Sequence, residues 1–195
     1  MKEDVRQKKK QMLVALFIIA IMVLSTLGFV LDFSQPSQST LEYNTHKFTQ
    51  TTQGWSTKLN GQKRLFLFFP GQLEDISFPD EAKKILTSPK QVSLSYDSNT
   101  TSVQVFAELQ FDLERRLTNY ANVYVVRGIS NSEGTALPTI MCGNATETVP
   151  VVFFRESNTT QVLAENNCII AESSAPIDAV RIAERILYTV LGIMT

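Results

Sequence analysis

From Met12 to Leu31 the chain carries no charged residue, and its apolar positions cover every side of a helical projection rather than one stripe. A run of about 20 residues at 1.5 Å per residue matches a hydrocarbon core of roughly 30 Å, so the pattern predicts one transmembrane helix over 12–32. The arm before it, 1–11, holds Lys2, Arg6, Lys8, Lys9 and Lys10 against Glu3 and Asp4. Cations flanking a span favour the cytoplasmic side, which puts the arm inside and everything after Asp32 outside. A cleaved signal peptide is the alternative. Its apolar region is usually about 7 to 15 residues and closes on a small-x-small site, whereas this run is longer and closes on Leu27-Gly28-Phe29-Val30-Leu31-Asp32.

Beyond the apolar run the pattern predicts an α/β fold: the transmembrane helix, then one mixed-sheet domain. Residues 33–45 are rich in Ser, Gln and Thr and read as a tether reaching at most about 45 Å. The domain, 46–195, opens as an antiparallel meander, His46–Thr51, Gly54–Leu59 and Gln62–Phe69. Asn60-Gly61 suits a type I′ hairpin turn because both central positions need φ > 0. RLFLFF, 64–69, is continuously apolar after its first residue and reads as a central strand buried on both faces. A helix over Pro79–Leu86 has Asp80 and Glu81 in its first turn. Gln91–Tyr96 alternates as a strand. The segment 102–117 fits both periods, and its composition, with Asp112 four residues before Arg116, favours helix. Asn122–Arg127 is the next strand, and this succession implies crossovers and a partly parallel sheet. Strands with short loops follow at Pro138–Cys142, Val149–Arg155, Thr160–Leu163 and Cys168–Glu172, read as antiparallel, with Ser157-Asn158 as a turn. A helix over Pro176–Leu191 closes the chain, its stripe Ala179, Ile182, Ala183, Ile186 and Val190 facing the sheet.

Charge and cysteine usage narrow the function classes. The 195 residues hold 18 Lys plus Arg against 19 Asp plus Glu, leaving 13 cations and 16 anions from Phe33 onward. The scattered basic residues do not make a phosphate-tracking groove, so no nucleic-acid partner is expected. The membrane is the expected partner of 12–32. Both cysteines, Cys142 and Cys168, lie on the outer side, where an even count suggests one disulfide; two free buried thiols are the alternative. Neither a Cys-x-x-Cys pair nor further Cys or His partners accompany them, so no redox pair, zinc site or cofactor is expected.

Candidate chemistry is sparse. Asn99-Thr100-Thr101, Asn144-Ala145-Thr146 and Asn158-Thr159-Thr160 are sequons in expected loops, open to glycan attachment at Asn99, Asn144 and Asn158. His46, the sole histidine, stands beside the tether, and no Gly-x-Ser-x-Gly elbow occurs. The acid pairs Glu74 with Asp75, Asp80 with Glu81, and Glu108 with Asp112 read as solvated carboxylates, and no catalytic residue is assigned. Tyr43, Trp55, Tyr96, Tyr120 and Tyr124 read as strand and core aromatics, a carbohydrate or peptide surface being the alternative.

The combination of Phe48, Gly54-Trp55, Asn60-Gly61, an apolar strand ending at Pro70, Cys142-Gly143-Asn144-Ala145-Thr146, Pro150-Val151-Val152, Cys168-Ile169-Ile170, Glu184-Arg185-Ile186-Leu187-Tyr188 and Leu191-Gly192-Ile193-Met194 resembles uncharacterised archaeal single-pass surface proteins. The resemblance covers most of the outer domain. It implies a Cys142–Cys168 disulfide and a single-pass topology, and it carries no established activity. The expected function is therefore a membrane-anchored, non-enzymatic extracytoplasmic domain that binds a surface protein or glycan partner or joins an envelope assembly. A tethered hydrolase of envelope polymers and a small-ligand sensor or transport accessory are the alternatives. Converging acids at the carboxyl ends of parallel strands would mark the enzyme, an exposed apolar patch of several hundred Å² the binder, and a polar cleft with a few aromatics the sensor.

Overall fold

The computed structural model describes Met12, residues 14–23 and residues 39–194. It divides into two units, 1–39 and 40–195. In the first, residues 14–23 form a helix, α1, whose Leu16, Phe17, Ile18, Ile19 and Ile21 are exposed. The arm 1–11, the second half of the expected span, 24–32, and residues 33–38 of the tether lie outside the described residues. Among the described residues no helix is long and apolar enough to cross a membrane.

The second unit is a mixed α/β fold with two sheets, where one was expected. The first is a four-stranded antiparallel meander of β1 (Thr40–Tyr43), β2 (His46–Thr51), β3 (Gly54–Leu59) and β4 (Gln62–Phe66), in that order. Strand β1 corrects both the tether, expected over 33–45, and the domain start at 46. Asn44 at φ 50° turns the chain back so that Leu41 lies opposite Phe48 and Tyr43 opposite His46. The expected turn at Asn60-Gly61 is present, with φ of 50° and 77°. RLFLFF, by contrast, is not a central strand: β4 is an edge and ends at Phe66. Its apolar run serves several neighbours as the chain leaves the sheet. Phe66 stacks on Tyr188 at 4.6 Å, Phe69 packs on Trp55 at 5.1 Å, and Leu67 is exposed.

The second sheet has the order β6-β5-β7-β9-β8, built from β5 (Gln91–Tyr96), β6 (Tyr124–Arg127), β7 (Val151–Glu156), β8 (Gln161–Glu165) and β9 (Cys168–Ser173). Strands β6, β5, β7 and β9 are mutually parallel, as the crossovers implied, and only β8 runs antiparallel. The expected run of antiparallel C-terminal strands is therefore corrected. Strands β8 and β9 form a hairpin through Asn166-Asn167, both at positive φ, and β9 inserts between β8 and β7. Ser157-Asn158 accordingly does not close a hairpin.

Helices α2 (Asp80–Leu86), α3 (Val103–Arg116) and α4 (Pro176–Val190) follow the expected positions closely. The expected stripe of α4 is too narrow, because Glu184, Arg185, Leu187, Tyr188 and Thr189 are buried as well. One side of α4 packs with β9, while Tyr188 meets Phe48 and Phe66 of the meander. Between α3 and α4 the Arg116 guanidinium donates to both oxygens of Glu184, at 2.5 and 3.0 Å, and the Leu67 N–H donates to the same carboxylate at 2.8 Å. Burial pushes Arg116 down, and Glu184 more than offsets this, so its proton is held more tightly than usual.

Alternation in β7 and β9 splits their side chains between two cores. Val152, Phe154, Ile169 and Ala171 join the helix-facing cluster, and Val151, Phe153, Cys168 and Ile170 join a smaller one on the opposite face with Ile140. That face is covered by the segment after β6. The strand expected over Pro138–Cys142 is absent; a single bridge between Ile129 and Thr139 remains. The segment is instead held down by Ser95, whose hydroxyl donates to the Ile140 carbonyl at 2.6 Å, and by the disulfide Cys142–Cys168, with Cα atoms 5.2 Å apart. Gly128 permits the close approach, since a Cβ there would stand 2.5 Å from the Ile140 side chain.

Candidate functional site

Because β5, β7 and β9 run parallel, their carboxyl ends emerge along one edge of the sheet. The chain passes from β5 to β6 on one side, while β7 lies on the other, so β5 and β7 flank the point where the strand order reverses. In open parallel sheets the crevice outside such a point is the usual place for a ligand. Each strand end here releases an acid followed by small polar residues: Asp97-Ser98-Asn99-Thr100-Thr101-Ser102 after β5, Glu156-Ser157-Asn158 at the end of β7, and Glu172-Ser173-Ser174 at the end of β9. These segments enclose a cleft of about 390 Å³ lined by Thr101, Ser102, Phe106, Glu156, Ser157, Asn158, Ser173, Ser174, Ala175 and Pro176.

Hydrogen bonds fix the rim. The Asp97 N–H donates to Phe154 O at 2.9 Å and the Ser157 N–H to Ser173 O at 3.0 Å, carrying the ladder beyond the strands. The Glu156 carboxylate accepts from the Thr101 hydroxyl at 3.0 Å and its N–H at 3.3 Å, at the start of α3. The hydroxyls of Ser102, Thr100 and Thr101 hold the Glu156 carboxyl down to about 2. On the other wall, Thr160 and Ser174 both donate to Asp178 in the first turn of α4, at 2.9 and 3.0 Å. The Thr160 bond clamps the β7–β8 loop to α4.

The residues singled out from the sequence divide among several places. Asn99, Asn144 and Asn158 are all exposed. Asn144 uses its side-chain oxygen to accept from the Met141 N–H at 2.8 Å beside the disulfide, whereas Asn99 stands on the β5–α3 loop and Asn158 lines the cleft. The threonines two residues after Asn99 and Asn158 bond to Glu156 and Asp178, so they serve the rim as well as the sequons. His46 is on β2, in the other sheet. The acid pairs are not brought together: Asp75 binds Arg181 at 2.6 Å, Asp80 binds Lys83 at 2.9 Å, and Asp112 binds Arg115 at 2.6 Å. Among the described residues no three His, Cys, Asp or Glu side chains converge as a metal site. Nor do the five aromatics form one surface, although Tyr43 and Trp55 both pack on Phe69. Tyr96 is buried, Trp55 packs on Phe69, Arg64 stacks over Tyr120, and Tyr124 stands exposed on β6.

A larger hollow, about 560 Å³, opens near the amino ends of the same strands between Lys84, Lys90, Glu147 and Asn167. It lies at the edge opposite the strand reversal, and the hydroxyl-rich segments do not reach it. The carboxyl-end cleft is the residue set that sequence reading missed. Its signal was the recurrence of Asp-Ser, Glu-Ser and Glu-Ser directly after three apolar strands. No family model, no curated protein and no solved structure matches the chain.

Proposed function

We propose that the chain is a membrane-anchored extracytoplasmic binding domain that takes a small polar ligand in the cleft at the carboxyl ends of β5, β7 and β9. The observation that carries this reading is the convergence of three separate hydroxyl-rich segments on one cleft beside the reversal of strand order. A polar cleft favours the ligand-binding alternative over a surface-patch binder, because Leu41, Leu67, Phe111 and Met141, exposed apolar side chains of the domain, lie on four different segments. The address rests on the charge-free run 12–31, the basic arm before it and the disulfide, which persists in oxidising compartments.

Two experiments test the reading. Full-length protein in a zwitterionic detergent, and its Asn158→Trp variant, whose indole fills the cleft, are each incubated with the small-molecule fraction of an envelope extract. Compounds retained by the wild type and released from the variant support the cleft; equal retention rejects it. Protease added to intact cells should remove the chain beyond residue 33, and protection would reject the outward orientation.

A further inference from the structure

We infer that the ligand of the carboxyl-end cleft is an uncharged polyhydroxylated molecule, a mono- or disaccharide, rather than an anion or an organic cation. This assignment rests on the cleft being a ligand site, and it comes from how the charge and the hydrogen-bonding capacity of the lining are already used.

An anion is disfavoured on charge. None of the lining residues is a lysine, arginine or histidine, and Glu156 places a carboxylate at the first turn of α3, where an anionic ligand would otherwise find exposed N–H groups. Phosphate or a free carboxylate would meet like charge at both helix starts on the cleft, Glu156 before α3 and Asp178 in the first turn of α4. The Glu156 carboxyl stays ionised at any physiological pH.

An organic cation is disfavoured on hydrogen bonding. A carboxylate accepts about four hydrogen bonds. Two of those of Glu156 are taken by the Thr101 N–H and hydroxyl, at 3.3 and 3.0 Å. An ammonium group on that carboxylate would compete with the contacts that hold the β5–α3 loop.

A neutral polyol meets neither obstacle. Its hydroxyls both donate and accept, and the unspent groups of the lining do the same. The exposed Asn158 amide is not used by the fold and offers two donors and an acceptor oxygen; the Ser157 hydroxyl, which accepts from the Thr159 N–H at 3.5 Å, keeps its donor. A volume of about 390 Å³ accommodates one or two pyranose rings.

The test is calorimetric titration of the full-length chain in a zwitterionic detergent free of sugar head groups. The probes are glucose, mannose, N-acetylglucosamine, maltose, inorganic phosphate and spermidine. At least one saccharide should bind the wild type, with phosphate and spermidine silent. Asn158→Ala should weaken that binding about tenfold, the loss of one or two hydrogen bonds, with unchanged thermal stability because the residue is exposed. Ser157→Ala should weaken it as well. Binding of phosphate or spermidine in place of the saccharides overturns the assignment and leaves the cleft itself standing. Saccharide binding indifferent to both substitutions overturns it too. If every probe is silent while Asn158→Trp still releases a retained compound, the sugar class alone is rejected; if both experiments are silent, the cleft falls with it.

Discussion

Glu184→Gln is the substitution that most sharply tests how the two sheets are joined through α4. Glu184 is 1% exposed and binds three groups: both terminal nitrogens of Arg116 and the Leu67 N–H at the exit of β4. Glutamine keeps an oxygen for Leu67 and nearly the same volume, so the perturbation is chiefly the loss of one charge. It leaves the Arg116 guanidinium buried, with Asp112 at 3.5 Å as the remaining acid. Removing one partner of a buried ion pair typically costs about 3 to 5 kcal/mol, and Asp112 puts this case near the lower end. For a domain of this size that lowers Tm by roughly 6 to 12 °C. The readout is urea and thermal unfolding followed by the fluorescence of Trp55, the sole tryptophan, which packs on Phe69 in the meander. Arg116→Met combined with Glu184→Gln should recover part of the loss, because no buried charge is then unpaired. A Glu184→Gln cost below about 1 kcal/mol, the range of an exposed pair, or strict additivity in the double variant, would refute the reasoning.

Three further outcomes follow from the same structure. Breaking the Cys142–Cys168 bond should destabilise the domain by about 3 to 4 kcal/mol, the chain-entropy value for a separation of 26 residues; non-reducing mass mapping checks the pairing, and two alkylatable thiols in the native protein would contradict it. Gly128→Ala should cost about 1 to 3 kcal/mol through overpacking, because its Cβ falls 2.5 Å from Ile140; differential scanning fluorimetry reads the loss. The hold of Glu156 on the first turn of α3 should be complete above the ordinary carboxyl range near pH 4.5 and be lost as pH falls toward 2, since a depressed folded pKa stabilises only the ionised form. NMR titration of the Glu156 carboxyl and the Thr101 amide should show one shared midpoint near 2, and a midpoint above 4 would contradict the contact.

What could be read in advance followed physical locality. Asn60-Gly61 announces its turn because two adjacent residues at positive φ suffice to make it. The helix over Val103–Arg116 was legible from composition and the Asp112 to Arg116 spacing, although Arg116 reaches past Asp112 to Glu184. Strand β1 was hidden because TLEY becomes a strand only through its pairing with β2. The parallel pairing of β7 with β9 was hidden for a related reason: short connections suggest hairpins, and nothing local shows that β9 inserts between β7 and β8. The cleft was the least legible feature. Its Ser, Thr and Asn residues read locally as loops and sequons, and they become a site only when the parallel strands bring residues 101, 156 and 173 to one edge.

Hydrogen exchange of the full-length chain, with and without the ligand fraction of an envelope extract, tests the ligand cleft most directly. The account predicts new protection confined to residues 98–104, 156–160 and 173–178. Protection centred instead on the exposed β6 edge around Tyr124, with those three segments unchanged, would contradict it.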